Sequence, residues 1–153
     1  MEGYVPLLIA VIVAVLVCIL VSVCCLAVKR RKPLEMDLLE GHEFEHYCAD
    51  LLKLHGFQEV EVTKGSGDFG VDILAQREGI TYAVQCKRYD VPVGVHAIQE
   101  TYAGRDFYDC MVGAVMTNQY FTEPAVKVAQ KLNILLWDRD YLEEMAAERM
   151  EKG

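Results

Sequence analysis

The sequence predicts an α/β protein with a mixed β-sheet flanked by helices and preceded by one transmembrane helix. Three observations support this class. An uncharged apolar stretch lies near the N-terminus, three strand patterns follow the first amphipathic helix, and helix and strand patterns then alternate to the C-terminus. The predicted order of the globular part is αβββαβαβα. Because strands joined by tight turns precede strands joined by helices, antiparallel and parallel pairs are expected in one sheet.

The N-terminal segment has the features of a membrane anchor. Residues 5–28 carry no charge, and a helix of that length would extend roughly 36 Å, enough for a hydrocarbon core of about 30 Å. Four cations follow directly at 29–32, and the positive-inside rule places them in the cytoplasm. We therefore expect an extracytoplasmic N-terminus at 1–4, a transmembrane helix at 5–28, a basic juxtamembrane linker at 29–36 and a cytoplasmic domain at 37–153.

Charge and composition limit the class of the remaining chain. The 153 residues carry a formal charge of −8, and the 121 residues after position 32 contain 11 Lys and Arg against 22 Asp and Glu. The high apolar content excludes a disordered chain, and the acidic balance excludes a diffuse basic surface that coats DNA. A segment of this length suffices for one domain. Six irregularly spaced cysteines favour a reducing compartment over a disulfide framework.

The first element of the globular part is a helix predicted at 36–55. Five apolar residues recur at helical spacing and define one face, namely Phe44, Tyr47, Cys48, Leu51 and Leu52. Gly56 is suited to the C′ position that ends a helix. We therefore expect this helix to cover the sheet with its apolar face.

The later elements follow from alternating apolar residues and from turn residues. Strands are predicted at 57–63, 71–76, 81–87, 111–117 and 134–137. Helices are predicted at 93–108, 123–133 and 141–151. A Gly-rich loop at 64–70 and a turn at 77–80 connect the first three strands.

Residues 42–46 match the H-E-x-x-H pattern of zinc proteases, in which two His bind zinc and the Glu activates water. Helical spacing puts His42 and His46 opposite the apolar face that contains Phe44. The pattern therefore favours two solvated surface histidines, and a zinc protease that uses Glu43 remains the lesser alternative.

A second constellation lies on two neighbouring strands. If Gln76 pairs with Thr81 across the turn, Asp72 stands opposite Gln85 with Cβ atoms about 5 Å apart. Lys87 lies on the same face, two residues further along. An Asp, an amide oxygen and a Lys at one strand end form a site for Mg²⁺ with a cation beside it. Each residue alone also suits a structural role, and only the shared face favours a site.

These parts fit chemistry on a phosphate ester. A metal ion polarises a phosphoryl oxygen and lowers the pKa of bound water, and a Lys stabilises the transition state. Glu45, at the flank of the first helix's apolar face, could provide a further carboxylate. Lys64 and Arg88 flank the pocket. The net charge predicts weak, salt-sensitive DNA binding.

The segments GHEFE at 41–45, GDFGVDI at 67–73 and VQCKRY at 84–89 together resemble the Mrr-type catalytic domain of the restriction-endonuclease-like PD-(D/E)xK nuclease superfamily. The resemblance extends over about residues 37–145. It implies an αβββαβ core that cleaves DNA with Mg²⁺, or with Mn²⁺, often as a dimer. It implies that Asp72 is the first metal ligand and that Gln85 occupies the ligand position where many members carry Glu. It also implies that Lys87 is the catalytic lysine and that Glu45 is the helix carboxylate. DNA contacts are expected from Lys64, Ser66 and Arg88.

The resemblance implies a membrane-anchored, metal-dependent DNA endonuclease. Gln85 is neutral, so metal affinity is expected to depend on Glu45 or Asp68, and 121 residues leave no room for a separate DNA-reading domain. A nuclease fold that binds DNA or a partner at the membrane without cutting is the alternative function.

Overall fold

The computed structural model describes residues 12–19, 34–64, 67 and 69–151. The chain divides between Leu34 and Glu35 into an N-terminal and a C-terminal unit. In the N-terminal unit, residues 12–19 form helix α1. Within the described ranges, no helix combines the length and the apolar character needed to cross a membrane. Most of the predicted transmembrane stretch and basic linker lies outside these ranges, so the anchor remains a prediction.

In the described part of the C-terminal unit there are five helices and five strands in the predicted order, except that the first helix is split in two. The helices are α2 (Glu35–Leu38), α3 (Gly41–Leu54), α4 (Val95–Phe107), α5 (Glu123–Leu132) and α6 (Arg139–Glu151). The strands are β1 (Gln58–Val62), β2 (Ile73–Arg77), β3 (Ile80–Lys87), β4 (Val112–Thr117) and β5 (Ile134–Trp137).

The single helix predicted at 36–55 is wrong, because residues 39 and 40 separate α2 from α3 and Glu40 is the N-cap of α3. Glu40 has an extended backbone (φ −82°, ψ 168°), and its side chain accepts a hydrogen bond from the backbone N–H of Glu43. In return, Glu43 Oε2 accepts from the backbone N–H of Glu40 at 2.9 Å. This reciprocal capping box satisfies backbone donors at the start of α3. Glu is not among the preferred capping residues, so the sequence did not indicate the break.

The sheet is mixed, as predicted, with strand order β1-β2-β3-β4-β5. The pairs β1-β2 and β2-β3 are antiparallel, and the pairs β3-β4 and β4-β5 are parallel. Gln76 pairs with Thr81, and Ile73 pairs with Val84, which confirms the predicted register. Asp72 therefore directly precedes β2, next to the carboxyl end of β3.

Helices cover both faces of this sheet. One core cluster combines residues of α2, α3 and α6 with one face of the strands, including Phe44, Leu51 and Val84. The second cluster packs α4 and α5 against the other face, around Ile98 and Val115. Since side chains alternate along β3, Val84 and Cys86 point towards α3, whereas Gln85 points towards α4.

An ionic contact joins α2 to α6 and to the end of β4. The carboxylate of Asp37 accepts hydrogen bonds from Arg139 at 2.8 and 2.7 Å, one on each oxygen. Asn118, directly after β4, donates to the same carboxylate at 3.0 Å. These contacts hold the short helix α2 against the sheet.

Candidate active site

Asp72 is held beside the end of β3 by its backbone and by its side chain. Its N–H donates to the carbonyl of Val84 at 2.8 Å, and its Oδ2 accepts from the backbone N–H of Cys86 at 2.6 Å. The carbonyl of Asp72 accepts from the N–H of Thr63 at 2.9 Å. Three bonds therefore fix this carboxylate at the position predicted from the register.

Gln85 is buried, with 2% of its surface exposed. Its Oε1 accepts a hydrogen bond from Thr101 Oγ1 at 3.1 Å, and its Nε2 donates to Glu100 Oε2 at 3.1 Å. Both partners belong to α4. The amide therefore links β3 to α4, the helix that covers it.

Lys87 is the last residue of β3 and is 20% exposed at its side chain. Its Nζ lies 3.2 Å from Glu100 Oε2, and its carbonyl accepts from Thr117 Oγ1 at 2.7 Å. Gln85 and Lys87 therefore contact the same carboxylate, which confirms that they share a face. The ammonium group is partly open to solvent, where a phosphate could approach.

Glu100 is a site residue that the sequence patterns did not predict. Besides Gln85 and Lys87, His96 Nδ1 lies 3.3 Å from its Oε2. Burial alone would raise the pKa of Glu100, but hydrogen bonds from Gln85 and Lys87 and the charges of Lys87 and His96 lower it below its ordinary value. His96 lies one turn before Glu100 on the same helix, but only the packing of α4 on β3 brings Gln85 and Lys87 to Glu100, and no local sequence pattern reports that packing.

Gly70 allows the loop before Asp72 to approach this cluster. Its φ is +76°, and a Cβ at this position would lie 2.8 Å from the Cβ of Glu100 and 3.2 Å from Gln85 Nε2. Gly104 of α4 has a similar role, because a Cβ there would lie 2.6 Å from the backbone oxygen of Phe69. The Gly-rich motif thus serves close packing of the loop and α4.

Glu45 approaches β3 from the α3 side. Its Oε2 lies 2.6 Å from His42 Nδ1, and its side chain is 19% exposed. Burial raises the pKa of the Cys86 thiol, and Cys48 and the carboxylates of Asp72 and Glu45 raise it further. Cys86 therefore points to α3, away from the face of Gln85 and Lys87, and lies in the electrostatic field of both carboxylates.

The predicted DNA contacts have different environments. Lys64 is exposed. Arg88 donates through Nη1 to Asp90 Oδ1 at 3.0 Å and through Nη2 to the carbonyl of Asp37. Arg88 is therefore engaged in intramolecular contacts. Ser66 and Asp68 lie outside the described residues.

The H-E-x-x-H histidines lie on the solvent side of α3, as predicted, because His42 and His46 are both exposed. In the ranges that the structure covers, no group of three His, Cys, Asp or Glu residues is arranged to bind a metal. A zinc protease needs three protein ligands, so the arrangement gives this alternative no support.

The donors beside β3 fit magnesium better than zinc. Mg²⁺ is commonly held by one or two carboxylates, with waters and substrate phosphates completing its coordination. Asp72 and Glu100 both contact the three-residue segment 85–87. Two carboxylates and an ammonium group therefore contact one strand end, and carboxylate oxygens are the ligand type that a hard divalent cation prefers.

A family model for the Mrr-type restriction endonuclease catalytic domain matches residues 36–146. The chain belongs to this restriction endonuclease family. The match confirms the resemblance drawn from the sequence motifs, and it includes every site residue from Glu45 to Glu100.

Known proteins similar to this restriction endonuclease family member include one from Archaeoglobus fulgidus, described as uncharacterized. That protein is 30% identical over 108 residues, which cover 65% of this chain and 62% of the relative. A solved structure of a protein of unknown function is 26% identical with a TM-score of 0.54, covering 69% of this chain and 66% of the other. The chain thus spans less than two thirds of either protein.

Two restriction endonucleases of known structure share the fold. AspBHI, a DNA modification-dependent restriction endonuclease, is 16% identical with a TM-score of 0.54, covering 67% of this chain and 30% of AspBHI. MspJI, solved with a 27-mer oligonucleotide, is 16% identical with a TM-score of 0.56, covering 68% of this chain and 27% of MspJI. These comparisons confirm the mixed α/β restriction endonuclease fold.

Proposed function

We propose that the protein is a metal-dependent DNA endonuclease that hydrolyses phosphodiester bonds. The observation that carries this proposal is the geometry at the ends of β2 and β3. Asp72 is pinned to β3, and the two side chains of the Q-x-K motif, Gln85 and Lys87, meet at one carboxylate of α4. Membership of the restriction endonuclease family supports the same function.

The chain's own residues have separate tasks in this proposal. Asp72 would hold a divalent cation, Mg²⁺ or Mn²⁺, which would supply Lewis acidity and lower the pKa of water. Lys87 presents its ammonium group to the phosphate and stabilises the negative charge of the transition state. Glu45 and Gln85 were predicted as further ligands. Glu45 approaches from α3, next to Cys86, whereas Gln85 directs its oxygen to Thr101.

DNA is the proposed substrate. The superfamily resemblance implies DNA cleavage, and the fold is shared with MspJI, whose structure contains an oligonucleotide. The acidic balance predicts weak binding through a few cations near the site, among them Lys64 and Lys87.

The test is a plasmid assay with the full-length protein in detergent. Supercoiled DNA is incubated with Mg²⁺, with Mn²⁺ or with EDTA, and nicked circles are separated on agarose. The proposal predicts nicking with either metal and none with EDTA. An absence of metal-dependent nicking at high protein concentration would reject it.

A binding module that does not cut is the second candidate. The neutral Gln85 and the excess of acidic residues favour it. DNA retention in EDTA, together with no cleavage under any divalent metal, would support this candidate. Metal-dependent cleavage would eliminate it.

We also propose that residues 5–28 anchor the protein in a membrane, with residues 1–4 outside and the nuclease domain in the cytoplasm. The uncharged stretch and the cations at 29–32 support this orientation. Retention in membranes after alkaline carbonate extraction, with residues 37–153 accessible to protease only from the cytoplasmic side, is the expected result. A homodimer, implied by the resemblance, is tested by light scattering with correction for bound detergent.

A further inference from the structure

Glu100 is the centre of a polar cluster beside Asp72. One carboxylate oxygen, Oε2, lies 3.1 Å from Gln85 Nε2 and 3.2 Å from Lys87 Nζ. The same oxygen lies 3.3 Å from His96 Nδ1. The other oxygen, Oε1, takes part in none of these contacts. The Oε2 atom of Glu100 is therefore held by Gln85 and Lys87 and lies near His96, and the second carboxylate oxygen is the one that could bind a cation.

The orientation of Gln85 follows from that of Glu100. An ionised carboxylate can only accept hydrogen bonds, so the amide must present its NH₂ group to Glu100. The amide oxygen then lies 3.1 Å from the hydroxyl of Thr101, which is fully buried and whose one proton is shared between this oxygen and the carbonyl of Ala97 at 2.8 Å. The oxygen expected to bind a metal is thus already engaged with α4.

We propose that Glu100, rather than Gln85, supplies the second acidic metal ligand beside Asp72, and that Gln85 is a positioning residue that holds Glu100. This inference rests on the proposed nuclease function and deepens it. Because Gln85 is neutral, the motif on β2 and β3 supplies only one negative charge for a divalent cation, that of Asp72. Glu100 provides the second negative charge, so that two carboxylates, waters and the substrate phosphate can complete the coordination shell of the cation.

The packing around the end of β3 supports a shared site for the two carboxylates. Asp72 Oδ2 binds the N–H of Cys86, and Glu100 contacts the side chains of the two residues on either side, Gln85 and Lys87. Gly70 brings the loop before Asp72 against Glu100, where a Cβ would lie 2.8 Å from that residue's own Cβ. The loop, β3 and α4 thus contact one another around Glu100.

The structural alternative is that Glu100 only neutralises Lys87. Mn²⁺ binding separates the two roles without any need for activity, because free Mn²⁺ is read by electron paramagnetic resonance. Full-length protein in detergent is titrated without DNA. Glu100→Gln, which is nearly isosteric, should lower Mn²⁺ affinity by at least about tenfold. Mutation of a residue that only supports a metal ligand already costs about 10–100-fold in affinity, and loss of a ligand should cost no less.

Three further variants sharpen this test. Gln85→Ala should lower the affinity less than Glu100→Gln, because it leaves the carboxylate in place. Gln85→Glu in the Glu100→Gln background should restore binding, since it returns a carboxylate to the same pocket. Glu123→Gln is the matched control, because that exposed Glu pairs with Lys127 on the surface of α5, and its Mn²⁺ affinity should equal that of the wild type.

Wild-type Mn²⁺ affinity in Glu100→Gln, or a larger loss in Gln85→Ala, would overturn the inference. If Glu100→Gln fails to fold, as judged by thermal unfolding in EDTA, Glu100→Asp replaces it and must bind Mn²⁺ more weakly than the wild type. Asp72→Asn separates this inference from the nuclease proposal. If Asp72→Asn loses Mn²⁺ binding and Glu100→Gln does not, the role of Glu100 is rejected and the nuclease proposal stands. If the wild type binds no Mn²⁺, the result counts against the role of Glu100 and against the nuclease proposal.

Discussion

Gly70 couples the backbone of the motif loop to the chemistry of the site. It combines a φ of +76° with a close approach, since a Cβ would lie 2.8 Å from Glu100 Cβ and 3.2 Å from Gln85 Nε2. The left-handed backbone alone costs about 1–2 kcal/mol for a residue with a side chain. The close approach adds overpacking, which typically costs about 1–3 kcal/mol.

Gly70→Ala is therefore expected to lower the free energy of unfolding by about 2 kcal/mol or more and to lower nicking activity by displacing Glu100. Urea denaturation and the plasmid assay measure the two effects. Gly79→Ala is the matched control, because Gly79 has a φ of +80° and a Cβ added there would have no neighbouring atom within 4 Å. Equal destabilisation by the two variants, with activity retained in both, would contradict the role given to Gly70.

The site residues differ in how far the sequence could predict them. Alternation along two strands and one turn were sufficient to place Asp72, Gln85 and Lys87 together, because these positions depend on a local hairpin. Glu100 was missed because its position depends on how α4 packs across the sheet. Its partners Lys87 and Gln85 are 13 and 15 residues away in the chain, and helical spacing does not report which side chains meet there.

Helix α2 shows how a short element is held by tertiary contacts. Four residues are too few to form a stable helix alone, yet Asp37 binds Arg139 through both oxygens and also accepts from Asn118. The hydrogen bond from Arg139 to Asp37 raises the pKa of the guanidinium, against the opposite effect of burial. The pair is partly buried, so its removal leaves donors without partners.

Asp37→Ala is expected to lower the free energy of unfolding by about 1–3 kcal/mol, the usual effect of leaving buried donors unsatisfied. Asp50→Ala is the control, since Asp50 pairs with Lys53 on the exposed surface of α3 and such pairs contribute about 0–1 kcal/mol. Urea denaturation of both variants measures the difference. A smaller effect for Asp37→Ala than for Asp50→Ala would contradict this explanation of how α2 is held.

The sequence predicted the types and the order of the helices and strands correctly, but it did not predict the break between α2 and α3. Strong periodicity defined the amphipathic helix α3, and a clear turn defined the β2-β3 hairpin. The break at Glu40 was missed because it depends on a reciprocal bond with Glu43, which a helical pattern of apolar residues does not reveal.

The molecule as a whole is an acidic protein proposed to act on a polyanion. If Lys64 and Lys87 provide the main phosphate contacts, the logarithm of DNA affinity should fall with the logarithm of salt concentration with a slope of about −2. Affinity should then drop only about tenfold between 50 and 200 mM salt, whereas proteins with 6–10 phosphate contacts lose about 10³–10⁵. Fluorescence anisotropy in EDTA measures this slope, and a value of about −6 or steeper would contradict the small number of contacts.

The overall charge also limited the prediction from sequence. An excess of Asp and Glu argues against nucleic acid when counted over the chain, but Asp72 and Glu100 lie beside the ends of β2 and β3, where a metal-dependent nuclease needs carboxylates. Only the fold distinguishes acidity that belongs to the site from acidity on the outer surface.

Single-turnover nicking of supercoiled plasmid by Asp72→Asn and Lys87→Ala tests the central claim most directly. Lys127→Ala is the control, because Lys127 is exposed on α5 and pairs only with Glu123 among the described residues. We expect a loss on the order of 10²–10³ in the Mg²⁺-dependent rate for each site variant and an unchanged rate for the control. Nicking at the wild-type rate in either site variant would contradict the proposed chemistry.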